Sequence, residues 1–216
     1  KTGTLTKGEM EVQDLAVPMR GGPQEGIAVA LRDIATGQFP KEMQSQLELI
    51  ATCGFLNNGA DFKVEDGKDI ITGSPTEVAI LRACTQVHGG KDRVLDSRLR
   101  PENYKIFEIP FNSENKWMLT IHGQPGQQCF AVMKGAPDRV LKFCKEGRDG
   151  IAMAKIEAQM QQLMSQARRV LCIARKVLTE TPPGGVFEGT TDADCNFSFA
   201  DFEFVGLYVI EDPPKD

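Results

Sequence analysis

Histidine is scarce in this sequence, paired cysteines are missing, and no long apolar run occurs; each shortage removes a class of function. The only histidines are His88 and His122, and the six cysteines, Cys53, Cys84, Cys129, Cys144, Cys172 and Cys195, include no C-x-x-C pair. Zinc is held by clustered His and Cys ligands, so a metal site of that kind is not expected. Cysteines scattered through a chain of 216 residues suit a reducing compartment, where they serve as small buried hydrophobes. Two histidines also leave little for a Ser/His/Asp or Cys/His set, and none stands out. No stretch reaches the roughly eighteen apolar residues that a membrane-spanning helix needs, and no N-terminal signal segment is visible. The phosphate-gripping patterns G-x-x-x-x-G-K-[ST] and G-x-G-x-x-G are both absent. A basic excess is absent too: 30 acidic residues outnumber 25 basic ones, for a net charge of −5, which argues against a nucleic-acid grip.

What is there reads as one globular domain, with 41% hydrophobic and 25% charged residues. The segments 10–17, 105–109, 117–122, 128–133, 170–178 and 202–210 are short and strand-like. Residues 18–26 are turn-rich, 61–69 are charged and suit a hairpin or loop, and Gly123 to Gly126 reads as a turn. Met43, Leu47, Ile50 and Ala51 recur at helical spacing, ending at Asn57-Asn58-Gly59. Ser74-Pro75-Thr76-Glu77 is a helix start, with Ser as N-cap, Pro first in the helix and Glu third; this helix should run to about Val87. Residues 91–103 read as charged and irregular, and 181–195 as a long Pro-, Gly- and Asp-rich loop. Pro137 opens a short helix expected to hold Val140, Leu141 and Cys144. Residues 151–168 carry a Met-rich stripe, most simply the core face of a helix. Strand runs in hairpin order with helices between them predict an α+β fold, a sheet with helices on its faces.

Six residues at the start, Lys1-Thr2-Gly3-Thr4-Leu5-Thr6, resemble the segment that follows the phosphorylated aspartate of P-type cation-transport ATPases, D-K-T-G-T-[LI]-T. The aspartate itself is not in the sequence, which without an initiator Met looks like an excised piece. Further segments are similar to the family's, in its order. Gly73 to Ala79 resembles G-D-x-[ST]-E-x-A, and Pro110 to Ser113 with Lys116 resembles P-F-[NDS]-S-x-x-K. Lys134 to Asp138 resembles K-G-A-P-E, Arg169 to Leu171 resembles G-x-R-V-L, and Asp212 to Lys215 resembles D-P-P-R. The resemblance implies an antiparallel twisted sheet of about six or seven strands flanked by helices. It makes residues 1–216 a single nucleotide-binding domain, with 1–8 and 211–216 as hinge segments to a phosphorylation domain.

Each matched residue has a physical reading beside the family's. Phe111 lies before polar residues at a strand end, where an exposed ring can stack on adenine; with twelve Phe, a core position is the ordinary alternative. Glu77 can close a capping box on the Ser74 backbone N–H, whereas the resemblance has it accept the adenine amino group. A carboxylate has room for more than one donor, and the residues alone leave both roles open. Lys134 ends a strand, and Gly135 permits close backbone approach. The helix opened by Pro137 suggests an electropositive nook of free N–H groups. The resemblance places Lys134 deep in the adenine pocket with Gly135 against the base. Arg169 suits a bidentate grip on phosphate, and the R-V-L match selects it over Arg168. Lys116 and Met118, two apart, are expected on one strand face, near the nucleotide. Asp212 sits beside Pro213-Pro214, which stiffen a hinge. The resemblance also puts Thr2 backbone atoms near Mg²⁺ in the intact protein.

The resemblance implies an ATP-binding domain that presents the γ-phosphate to an aspartate outside this chain, in an integral membrane protein, on its cytoplasmic face. Its partners are then ATP and the parent's phosphorylation, actuator and transmembrane domains; no nucleic acid is expected, and the membrane is met only through the parent. The fragment alone should bind ATP weakly and show no ATPase activity. Phe111→Ala and Lys134→Ala are each expected to weaken ATP binding and to leave the fold intact. Thr191 to Phe197, Phe204 to Leu207 and Pro110 to Lys116 are similar to sodium/potassium and proton/potassium pumps, whereas Met118 and Gly73 to Glu77 lean toward calcium pumps. A monovalent-cation pump ranks first. The alternatives are a calcium pump and a nucleotide-free interaction module of the same fold. A haloacid-dehalogenase-type phosphotransferase ranks below them, since its N-terminal Asp nucleophile and acidic metal ligands cannot be located.

Overall fold

Short apolar runs pair into the main sheet, and helices cover one face of it more fully than the other. The computed structural model describes residues 9–18, 27–124, 126–147, 153–165 and 168–211. The elements are β1 (Glu11–Val17), β2 (Ile27–Ala30), α1 (Leu31–Thr36), α2 (Gln44–Leu56), β3 (Asp61–Glu65) and β4 (Lys68–Thr72). They continue with α3 (Pro75–His88), α4 (Lys91–Arg98), β5 (Lys105–Ile109), β6 (Trp117–His122), β7 (Cys129–Gly135) and α5 (Pro137–Val140). Last come β8 (Cys144–Gly147), α6 (Met153–Ser165), β9 (Arg169–Leu178) and β10 (Phe202–Glu211).

The main sheet has eight strands in the order β2-β1-β10-β9-β7-β6-β5, with β8 beside β10. All its pairs are antiparallel except β8 with β10. Helices and an antiparallel sheet make the α+β architecture predicted from strand runs in hairpin order with helices between them. The short strands β2 and β8 take the strand number above the expected six or seven. β3 and β4 form a separate hairpin.

Adjacent residues of the central strands face opposite ways. Val132, Ile173, Tyr208 and Ile210 belong to one buried cluster, with Leu47 and Ile50 of α2 and Ile80 and Leu81 of α3. Their neighbours Ala131, Met133, Cys172, Ala174, Leu207 and Val209 belong to the other, with Ile156 and Leu163 of α6 and Phe187 and Phe199 of the long loop. The core-face expectation for the stripe thus holds at Ile156 and Leu163; the side chains of Met153 and Met164 lie outside the described residues. Cys53, Cys84, Cys129 and Cys172 are buried and form no disulfide, in line with their reading as small hydrophobes.

Several segments differ from their sequence reading. Residues 91–98, expected to be irregular, form α4. Its charged sequence hides a single buried apolar anchor, Val94, and a tertiary tie. Arg98 donates to the Phe55 carbonyl and to Asp61 Oδ1, each at 3.1 Å. The first of these bonds satisfies a carbonyl in the last turn of α2, which has no partner within its own helix. β2 and α1 carry too few residues for a periodic signal. Cys144 begins β8 and is not in the helix opened by Pro137.

At one end of the sheet, Arg168, the residue before β9, ties β1 to β10. Its Nη1 donates to Asp14 Oδ2 of β1 at 2.6 Å, and its Nε lies 2.5 Å from Glu211 Oε1 of β10. Residues 1–8 and 212–216, expected as hinges, lie outside the described residues; Glu211, also expected there, is the last residue of β10 and the register partner of Glu11.

The buried His122 ring lies 2.9 Å by Nδ1 from the Asn103 carbonyl and 2.8 Å by Nε2 from Thr120 Oγ1. Burial pushes its pKa down from 6.5 to about 4, against the opposing pull of the Asn103 carbonyl. The unfolded chain therefore binds this proton first as pH falls. His122 contributes no penalty above pH 6.5, and stability is lost as pH falls from there toward about 4. Thermal melting across that window should show a shallower acid decline in His122→Gln than in the unsubstituted chain; equal slopes would remove His122 as the cause.

Candidate functional site

The start of α3, the end of β7 and the loop after β5 converge on one pocket. Ser74 caps α3, its Oγ accepting the Glu77 backbone N–H at 3.4 Å. The Glu77 carboxylate turns elsewhere: Oε1 accepts the Gly59 N–H at 3.1 Å and the Lys134 ammonium at 3.2 Å. The turn after α2 is stitched to this helix start, with Asn58 Nδ2 donating to the Glu77 carbonyl at 3.1 Å.

Lys134 is nearly buried, 5% exposed, and also donates to the Asn57 carbonyl at 2.5 Å. Burial lowers its pKa below 10.5, while the adjacent Glu77 carboxylate pulls it back up. Its cross-strand partner on β6 is Met118, also buried, and both face the helices α2 and α3. Gly135 is required by the backbone next to it. A Cβ there would lie 2.4 Å from the Lys116 carbonyl oxygen and 2.6 Å from Trp117 Cα.

Phe111 is 60% exposed, whereas Phe55, Phe187, Phe199, Phe202 and Phe204 are buried. Lys116 precedes β6 and holds a positive φ of 60°, so strand alternation does not place it as the two-residue spacing suggests. Arg169 opens β9, and its Nη1 donates to Thr76 Oγ1 at 2.9 Å.

These side chains surround a pocket of about 830 Å³. Glu77, Phe111, Lys116, Met118, Lys134, Gly135 and Arg169, all singled out in the sequence, line it together. Asp212 and Thr2, the other two, lie outside the described residues. Gly59, Thr76, Glu108 and Ser113 also line it and were not singled out. Thr76 and Ser113 lie inside the quoted segments, and Glu108 sits two residues before Pro110; Gly59 carries no signal beyond its turn.

The electropositive nook expected ahead of Pro137 is not formed. α5 has four residues, Pro137 has no N–H, and the Arg139 and Val140 N–H groups both donate to the Ala136 carbonyl. The Ala136 N–H is taken by the Lys116 carbonyl at 2.9 Å. Positive charge at the pocket comes from side chains instead. Among the described residues no group of three or more His, Cys, Asp and Glu could hold a metal ion. Glu77 is engaged by Lys134 and Glu108 by Lys105, so the pocket offers no evident donor set for Mg²⁺.

A family model described as "P-type ATPase, cytoplasmic domain N" matches residues 46–216. The chain belongs to that family. Among curated proteins, the N domain is 28% identical to the sodium/potassium exporting P-type ATPase cta3 of Schizosaccharomyces pombe. It is 31% identical to the sodium/potassium-transporting ATPase subunit alpha-B of Artemia franciscana and 30% identical to subunit alpha-4 of Homo sapiens. Each match covers 100% of this chain, which spans only 21–22% of the length of those relatives. Among the described residues, no helix of the N domain is long and apolar enough to cross a membrane.

Proposed function

We propose that this N domain binds ATP in the pocket between Phe111 and the Glu77–Lys134 pair. The observation that carries the reading is the contrast at the pocket's two sides. A large aromatic ring stays 60% exposed on one side, while a buried ammonium and a carboxylate form the other. An exposed ring is available to stack on a base, and the carboxylate can accept from an exocyclic amino group. Lys134 holds Glu77 in place and offers a donor to ring nitrogens. Arg169 and Lys116 are cations suited to phosphate oxygens, Arg169 through its planar fork.

In the parent protein the bound nucleotide would present its γ-phosphate to an aspartate outside this chain. The parent is proposed as a membrane-embedded, monovalent-cation P-type ATPase with this domain on the cytoplasmic face; the similarity to sodium/potassium P-type ATPases supports that choice. Mg²⁺ would be held away from this pocket, near the Thr2 backbone and that aspartate. Asp212 is proposed to help couple the domain to the rest of the parent.

A titration of the chain with ATP tests the reading. Weak, saturable binding at millimolar ATP is expected, without ATP hydrolysis. Absence of any saturable signal, read by a fluorescent ATP analogue and by calorimetry, would overturn it in favour of a nucleotide-free interaction module.

A further inference from the structure

Between the pocket residues Phe111 and Lys116 lies one residue that holds their loop in shape. Asn112 Oδ1 accepts the backbone N–H groups of Glu114 at 3.1 Å and Asn115 at 2.7 Å. The Asn112 backbone carbonyl accepts the N–H of Lys116 at 2.9 Å. Three main-chain donors thus converge on a single residue and close 112–116 into one turn, the local hydrogen bonding at which Asn excels. The turn closes with Lys116 at φ 60°, in the left-handed region that non-glycine residues seldom adopt. The Lys116 carbonyl then accepts the Ala136 N–H at 2.9 Å, fastening the turn to the end of β7.

Phe111 directly precedes this turn and follows Pro110, whose φ is fixed by its ring. Ile109, one residue earlier, is buried at 2% exposure. The backbone at Phe111 is therefore held from both sides, although most of its ring faces solvent. A ring on a loose loop would have to be ordered when a ligand arrives, and that cost is subtracted from affinity. Asn112 is not itself part of the pocket wall, which is formed here by Phe111, Ser113 and Lys116.

We propose that Asn112 is a positioning residue for the nucleotide: its carboxamide oxygen sets the turn that presents Phe111 to the base. This rests on the nucleotide reading above. The test is an ATP titration of the 216-residue chain carrying Asn112→Ala, Asn112→Ser, Phe111→Ala, or Asn112→Ala with Phe111→Ala, each also melted thermally. Asn112→Ala should weaken binding by about three- to tenfold, of the order of one or two net hydrogen bonds. The serine hydroxyl accepts the same donors more weakly and should restore part of the loss. In the Phe111→Ala background, Asn112→Ala should add no further loss, because it acts through the ring. Melting temperatures should stay at the unsubstituted value, since the loop is exposed. An Asn112→Ala chain that binds ATP as tightly as the unsubstituted one would overturn the proposal alone. So would a loss that adds in full to that of Phe111→Ala. An unsubstituted chain that fails to bind ATP overturns it together with the nucleotide reading.

Discussion

Phe111→Ala is expected to weaken ATP binding by about 1–3 kcal/mol, the range found when base-stacking aromatics are truncated, which is roughly five- to 150-fold in Kd. The same substitution should leave thermal unfolding almost unchanged, because a ring 60% exposed in the folded domain contributes little buried area. The two readouts together matter. A core phenylalanine would do the opposite, costing about 3–5 kcal/mol of stability when cut to Ala. Calorimetric titration beside a melting curve therefore separates a stacking ring from a packing ring. Wild-type affinity in Phe111→Ala would remove the ring from the site.

Lys134→Ala should damage both binding and stability, which revises the expectation that the fold would stay intact. The Lys134 ammonium satisfies the Asn57 carbonyl and the Glu77 carboxylate. Truncation strands both acceptors and opens a gap under the pocket. Removing one partner of a fully buried ion pair costs about 3–5 kcal/mol, and the side chain of Glu77 is 21% exposed, so roughly 2–3 kcal/mol is expected here. ATP affinity should fall by about tenfold or more, as the pocket loses a donor and the Glu77 carboxylate loses its anchor. Lys134→Ala with Glu77→Gln should recover part of the stability, since the stranded charge is gone, without recovering affinity. Unchanged melting in Lys134→Ala would mean that water satisfies the two acceptors.

The site was legible in the sequence to the extent that it lies in short contiguous segments. Phe111, Lys134 and Arg169 each stand in such a segment and reach the pocket from three separate elements. What the sequence left open was direction. Ser74-Pro75-Thr76-Glu77 allows the carboxylate to close a capping box or to leave the helix start, since both conformers suit the same four residues. The alternative partners, Gly59 and Lys134, are 18 and 57 positions away, beyond any local pattern. Lys116 lines the pocket together with Met118, as the two-residue spacing expects, but it does so from a positive φ just before the strand and not from the strand's own alternation. The helix at 91–98 was illegible for a related reason: one buried valine gives no period, and Arg98 secures it through residues 37 and 43 positions away. The strands of the sheet centre were legible because burial on both faces selects continuous apolar runs, such as 129–133, 170–174 and 204–210.

Glu11 and Glu211 being register partners has a mechanical consequence. A load applied at those two residues would act on the same rung of the β1–β10 ladder. It would peel the strands apart rung by rung, a low-force mode, where a load on opposite ends would have to shear all rungs at once. Arg168 grips Asp14 on one strand and Glu211 on the other, so it acts as a rivet near the first rung to tear.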